Sequence, residues 1–159
     1  MLAALRNFFD QQIVGKPEDT ADQAAGRARL AAAALIVEVV SSDAEFADSE
    51  RVAVFNAIRR SFGLDPQATG ELLSLAEAEA RDAHDTWQFT ASVNSGFTLE
   101  QKRRLVEELW RVAYADAALH RHEEHLIRRV AELLHLGHGE FIRAKLRVQA
   151  ENSLSPPAD

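Results

Sequence analysis

Tyr114-Ala-Asp-Ala-Ala-Leu-His-Arg-His-Glu-Glu-His-Leu-Ile-Arg-Arg-Val130 is the stretch that decides the fold. Its pattern predicts the end of one helix, a short turn and the start of the next. Asp116 falls near the C-terminal end of the first helix, where the helix dipole disfavours a carboxylate by roughly 0.3–1 kcal/mol. Glu123 and Glu124 open the second helix, where the same dipole favours them. Because Asp116 is poorly placed for helix stability, we expect it to have another role.

The same arrangement occurs earlier in the chain, in Ser42-Asp-Ala-Glu-Phe-Ala-Asp-Ser-Glu50. In each copy an aspartate is followed by a glutamate seven positions later, across a turn: Asp43 with Glu50, and Asp116 with Glu123. This repeat predicts an internal duplication, with two helix–turn–helix halves packed about a pseudo-twofold axis. Such packing would bring the two acidic turns to comparable positions, or to adjacent ones.

The apolar residues extend the repeat beyond the glutamates. A shift of 73 aligns the two aspartates, whereas a shift of 72 fits the following helices better. The second shift places Phe62 opposite Leu134, and Leu64 opposite Leu136. The copies therefore differ by one residue near the turn.

Hydrophobic periodicity predicts an all-α fold, a compact bundle of about seven to eight helices. The first helix, with Leu2, Leu5 and Phe9 on one face, is expected to dock on the domain, so that residues 1–16 form a docking helix and linker. The helical domain is predicted at 21–150, and 151–159 is predicted as a disordered tail. Within the domain, helices are expected at about 21–42, 49–62, 66–83, 86–93, 99–117, 122–135 and 139–150.

Two of these helices are apolar on most faces, which predicts that they lie at the centre of the bundle. They contain the runs 35–40 and 105–113. Glu38 interrupts the first run, either as a rim residue or as a buried carboxylate with a partner. Val52, Phe55, Ile58 and Phe62 are expected on one side of the helix that follows Asp48. The residues expected to be buried together are Ile36, Val40, Phe55, Leu109, Trp110, Val112, Ile127, Val130 and Leu134.

Helix boundaries carry local signals. Asp65 followed by Pro66 predicts a capped helix start, and Gly63 is expected to end the preceding helix. Thr98-Leu-Glu-Gln101 matches a capping box and predicts the start of the helix at about 99–117. Asn94-Ser-Gly96 is expected to end the preceding helix.

Composition excludes several classes of protein. The net charge of −7 argues against general affinity for nucleic acid or anionic lipid. The absence of cysteine rules out disulfides, thiolate zinc sites and cysteine nucleophiles. The N-terminus does not have the pattern of a signal peptide, and no segment has membrane-spanning length. We therefore expect a cytoplasmic protein without a membrane span, with protein partners; a homodimer stays open.

The carboxylates of the two turns are the candidate metal ligands. If the halves pack closely, the carboxylates repel one another, and their repulsion favours binding of a cation. Oxygen ligands suit Ca²⁺, Mg²⁺ or Mn²⁺. Zinc, held by His120 or His122 beside Asp116, is less favoured, because the first half has no matching histidine. The alternative is that the acidic residues are helix caps and a solvated face.

No catalytic constellation is evident. Glu132-Leu-Leu-His135 matches the Glu-x-x-His of di-iron bundles once, where two copies are needed, so we interpret it as accidental. The remaining histidines are expected on the surface. The basic pairs Arg59-Arg60, Arg103-Arg104 and Arg128-Arg129 are interpreted as solvated helix faces.

Residues 115–129, Leu133-Leu-His-Leu136, Phe141-Ile-Arg-Ala-Lys145 and the acidic segment 43–50 resemble the tellurite-resistance TerB-like family, especially its stand-alone subgroup of small bacterial proteins. The resemblance covers about residues 25–148. It implies an all-helical duplicated fold and a metal site at the acidic positions. Carried over, those positions are Asp43, Glu50, Asp116 and Glu123, with Glu124 as a further candidate.

One departure from the family pattern concerns both turns. Ala44 and Ala117 follow the aspartates where such proteins commonly have glycine, which weakens the expectation of metal binding. The resemblance also extends to a region of membrane-anchored J-domain co-chaperones, which suggests an interaction module. We therefore predict a non-enzymatic cytosolic module, a scaffold or sensor in tellurite or stress response. The alternative is a metal-dependent hydrolase or other enzyme that uses the same carboxylates.

Overall fold

The computed structural model describes residues 20–40, 48–82, 86–115 and 121–154. Within these ranges the secondary structure is helical and contains no strand, which confirms the all-α prediction. None of the helices there combines the length and apolarity needed to cross a bilayer. The predicted docking helix and the last five residues lie outside the described residues. The helices are α1 (Thr20–Val40), α2 (Asp48–Phe62), α3 (Pro66–Asp82), α4 (Trp87–Gly96), α5 (Leu99–Tyr114), α6 (Arg121–Leu133) and α7 (His138–Leu154).

Helix α1 is the centre of the bundle, as its apolar pattern predicted. From Ala31 to Val40 every side chain except Glu38 is buried. Such a helix has no solvent face, and α1 packs against α2, α3, α4, α5 and α6. Helix α5 is the second central element, in contact with α1, α2, α6 and α7. Glu38 is half-buried, between the two expectations for it.

Helices α1 and α4 approach unusually closely at Gly96. A Cβ atom on Gly96 would lie 2.5 Å from the carbonyl oxygen of Ala24 and 2.6 Å from the Cβ of Ala28. Real side chains do not tolerate such distances, so the residue at position 96 has to be glycine. The segment Asn94-Ser-Gly96 was interpreted as a helix end, and Gly96 is the last residue of α4. Its packing role is visible only in the tertiary structure.

The predicted helix starts are confirmed. The Oδ1 atom of Asp65 accepts a hydrogen bond of 2.8 Å from the backbone N–H of Ala68, the third residue of α3. At α5, the Thr98 hydroxyl accepts from the Gln101 N–H at 3.2 Å, and the Gln101 side chain accepts from the Thr98 N–H at 2.8 Å. These reciprocal bonds are the predicted capping box.

Four helix ends differ from expectation. Helix α5 ends at Tyr114, before the predicted end near 117. Helix α4 continues to Gly96 rather than ending near Val93. Helix α6 ends at Leu133, because His135 adopts a left-handed backbone with φ of 64° that terminates the helix. Helix α7 continues four residues beyond the predicted end at 150, to Leu154.

The predicted core is confirmed except for one member. Phe55 is half-buried, whereas the other eight residues are buried in one cluster. The prediction for Val52 was wrong, since its side chain is 60% exposed. The reason is that α2 buries the stripe formed by Val54, Ala57 and Ile58, and Val52 lies outside this stripe.

Candidate functional site

Glu50 and Glu123 occupy equivalent places in their helices. Glu50 lies in the first turn of α2 and Glu123 in the first turn of α6, where the helix dipole favours carboxylates. First-turn glutamates commonly face solvent. Here Glu123 is only 7% exposed and Glu50 is half-buried. Both glutamates are therefore at least partly shielded from solvent by the packed helices.

The aspartates of the predicted site, Asp43 and Asp116, lie outside the described residues. In the part of the chain that is described, no group of three or more histidine, cysteine, aspartate or glutamate side chains is arranged to hold a metal ion. The two glutamates supply oxygen ligands of the kind that Ca²⁺, Mg²⁺ and Mn²⁺ prefer. A complete metal site would need the aspartates in addition to them.

Glu124 is engaged by a neighbouring helix. Its Oε1 atom lies 3.0 Å from the Nζ atom of Lys145 on α7. The same ammonium lies 5.4 Å from the ring centroid of Trp110, which is fully buried beneath it. Because Lys145 already neutralises Glu124, this carboxylate is poorly suited to bind a cation.

Of the two predictions for the histidines, surface exposure is confirmed for three of them and the zinc site is untested. His125, His135 and His138 are exposed, as predicted for surface residues. His120 lies outside the described residues, so the zinc alternative is not tested. Glu132 and His135 are both exposed, and His135 follows the end of α6. Their pairing is therefore not that of two ligands on one helix face, which agrees with an accidental match to the di-iron motif.

The sequence interpretation missed a network of ion pairs centred on Glu108. This buried carboxylate bridges two guanidinium groups: Arg60 Nη2 lies 3.0 Å from its Oε2 atom, and Arg111 Nη1 lies 2.6 Å from its Oε1 atom. Arg60 comes from α2. Its side chain is 51% exposed, as predicted for a solvated face, and its guanidinium also reaches the buried Glu108. The i,i+3 spacing of Glu108 and Arg111 on one helix could have predicted their ion pair. The pairing of Glu108 with Arg60 on α2 could not be predicted from the sequence.

Arg111 also joins α5 to α7. Its Nε and Nη2 atoms donate to the two carboxylate oxygens of Glu151 at 3.0 and 2.7 Å, in a bidentate arrangement. These hydrogen bonds to Glu151, aided by Glu108, raise the pKa of Arg111 above its ordinary value, so the guanidinium stays charged. The reciprocal effect is that the Arg111 hydrogen bonds lower the pKa of Glu151.

Four cavities in the described part of the chain are lined by residues other than Glu50, Glu123 and Glu124. One of them, of about 340 Å³, lies between α1, α2 and α5 and is lined by Arg29, Arg60, Arg104 and Arg111 among other residues. Sequence reasoning did not single out this cavity, because its walls come from three helices.

The fold and the acidic first turns define a small, all-helical module with carboxylates at two matching helix starts. The model of the family "Tellurite resistance protein TerB" matches residues 29–146, which is more than half of the chain. The protein therefore belongs to the TerB family, as the resemblance indicated. Searches of curated proteins and of solved structures gave no significant match.

Proposed function

We propose that this protein is a non-enzymatic helical module that binds a divalent cation through its paired acidic turns. Asp43, Glu50, Asp116 and Glu123 would supply the ligands, and Ca²⁺, Mg²⁺ or Mn²⁺ is the proposed ion. The module would act as a scaffold or sensor in tellurite or general stress response. Membership of a family named for tellurite resistance supports this context.

The matched positions of Glu50 and Glu123 are the observation that carries the proposal. Each lies in the first turn of its helix, where the helix dipole favours a carboxylate, and Glu123 is buried while Glu50 is half-buried. Carboxylate oxygens are the ligands that Ca²⁺, Mg²⁺ and Mn²⁺ prefer, and one ion between the two turns would use both glutamates.

Thermal melting with added Ca²⁺, Mg²⁺, Mn²⁺ and Zn²⁺ tests the proposal. An ion that binds the folded state raises the Tm by mass action. The double variant Asp43→Asn/Asp116→Asn should lose this rise. It should also match or exceed the wild-type Tm without metal, because mutual repulsion of the carboxylates is relieved. Zn²⁺ should have a smaller effect than the three harder ions.

A matched control removes the same charge elsewhere. Glu71→Gln/Glu132→Gln changes two exposed carboxylates on α3 and α6 and should keep the metal-dependent rise in Tm. Titration calorimetry should show one ion per chain, because two ions would mean separate sites in the two halves. If no ion raises the wild-type Tm, the cation-binding proposal is wrong, and Glu50 and Glu123 only stabilise the starts of their own helices.

A further inference from the structure

The cavity of about 340 Å³ between α1, α2 and α5 has an unusual set of charges for an acidic protein. Arg29, Arg60, Arg104 and Arg111 line it, and they belong to three different helices. The whole chain carries a net charge of −7. Four guanidinium groups around one cavity therefore create a local positive region on a negative molecule.

The two carboxylates of this cavity do not cancel that charge. Glu107 and Glu108 line it together with the four arginines, which leaves an excess of positive groups. Glu108 is already shared by Arg60 and Arg111. Glu107 lies 2.8 Å from Arg147, a residue outside the cavity. The carboxylates are thus held by protein cations. Arg111 is also paired with Glu151, so the positive charge available to a ligand comes from the other three arginines.

Three of the arginines retain free donor capacity. Arg29 is exposed and forms no ion pair within the described ranges. Arg104 meets Glu100 of its own helix at 3.4 Å, in a pair so exposed that it contributes little. Arg60 uses Nε and Nη2 for Glu108 and leaves Nη1 for another acceptor. A guanidinium fork matches the oxygens of a phosphate or carboxylate.

The rest of the cavity wall contains three apolar side chains, Phe62, Phe97 and Leu105, together with the polar Ser61 and Gln101. The two phenylalanines are only half-buried. Partly exposed aromatic rings beside arginines suit a ligand with a flat apolar body and an anionic group. The volume lies at the small end of the range for small-molecule sites.

We propose that this cavity binds a small organic anion, a compound that carries a phosphate or carboxylate group on an aromatic or similarly flat apolar body. Arg29, Arg60 and Arg104 bind the anionic oxygens, and Phe62 and Phe97 contact the apolar body. Arg111 is held by Glu108 and Glu151 and keeps Glu108 in place. The site shares no residue with the proposed cation site and does not depend on it.

Calorimetric titration of the full chain, dialysed free of metal, tests this site with four probes: phenyl phosphate, benzoate, inorganic phosphate and the neutral benzyl alcohol. Phenyl phosphate, benzoate or both should bind more tightly than inorganic phosphate and benzyl alcohol. The tighter of the two aromatic anions identifies the preferred anionic group. In Arg29→Gln/Arg104→Gln the affinity for that probe should fall at least tenfold.

The control variant Arg81→Gln/Arg129→Gln removes two exposed arginines outside the cavity and should bind the probe as the wild type does. If the double cavity variant melts early, the single variant Arg29→Gln should still weaken binding, because Arg29 forms no ion pair in the described part of the fold. The proposal is overturned if neither aromatic anion binds, or if the control loses as much affinity as the cavity variant. It is also overturned if inorganic phosphate or benzyl alcohol binds as tightly as the aromatic anions.

Discussion

Gly63 and His135 adopt the same left-handed backbone conformation, with φ of 62° and 64°. Each residue ends a helix, Gly63 after α2 and His135 after α6, and the two are 72 positions apart. This is the shift at which the apolar residues of the two halves align. The agreement supports the predicted internal duplication, which itself stays a prediction.

The two helix ends use related hydrogen bonds. The N–H of Gly63 donates to the carbonyl of Arg59 at 2.9 Å, a single bond that closes α2. At α6, the N–H of His135 donates to Glu132 and the N–H of Leu136 donates to Ala131, each at 3.0 Å. The second pattern is a Schellman motif. It normally has glycine at the position of His135.

Replacement of His135 by glycine should therefore stabilise the fold by about 1 kcal/mol, because a left-handed conformation is strained for a residue with a Cβ atom. The side chain of His135 is exposed, so little packing is lost. The converse change, Gly63→Ala, should destabilise by about 1–2 kcal/mol, and since a Cβ there meets nothing within 4 Å, the whole cost is conformational. Urea unfolding measures both. Equal stability of all three proteins would contradict the assigned helix ends.

Gly96→Ala should cost about 1–3 kcal/mol or more, because the new Cβ would overlap Ala24 and Ala28 and force α1 and α4 apart. Gly70 offers the matched control, since it lies inside α3 and a Cβ there would meet nothing within 4 Å. Gly70→Ala should stabilise by about 0.4–1 kcal/mol. In thermal melts, Gly96→Ala should lower the Tm and Gly70→Ala should raise it. A neutral Gly96→Ala variant would show that α1 and α4 are not in close contact.

Glu108→Ala should destabilise by about 2–3 kcal/mol, because it leaves the guanidinium groups of Arg60 and Arg111 without their shared, buried acceptor. Glu100→Ala is the control on the same helix. Its pairs with Arg103 and Arg104 are exposed, so it should change stability by less than about 0.5 kcal/mol. Chemical denaturation of both variants compares a buried ion pair with exposed ones. A similar small effect for both would mean that the Glu108 network adds no stability.

The ion pair between Arg111 and Glu151 predicts a dependence of stability on pH. Hydrogen bonds from Arg111 hold the pKa of Glu151 below its ordinary value of 4.5. A carboxyl group with a lowered folded-state pKa contributes stability that is present above about pH 4.5 and is lost as the pH falls through the folded-state pKa. Glu151→Gln should therefore be less stable than the wild type at neutral pH. The difference should shrink at about pH 3, measured by urea unfolding at both values. A difference that does not change with pH would rule out the charge of Glu151 as its cause.

Much of the fold was predictable from local pattern. The capping residues Asp65 and Thr98 predicted helix starts, because a cap is a hydrogen bond with a backbone group only three residues away. The apolar run from Leu35 to Val40 placed α1 at the centre, because a helix without a polar face cannot be stable in solvent. Sequence spacing also singled out Glu50 and Glu123, since a repeat is a property of the chain itself.

Other features were decided only by tertiary packing. The face that α2 buries depended on the neighbours it met, so Val54 is buried and Val52 is exposed although both are valines on one helix. The ion pair of Arg60 with Glu108 and the arginine-lined cavity each bring together residues that are far apart in the chain. The low solvent exposure of Glu123 also depends on the packing of other helices around it. The sequence by itself determined the helices and the capped starts of α3 and α5, because these depend on interactions within a few residues. The tertiary structure decided which charges met and which were buried, because the relative positions of packed helices set those distances.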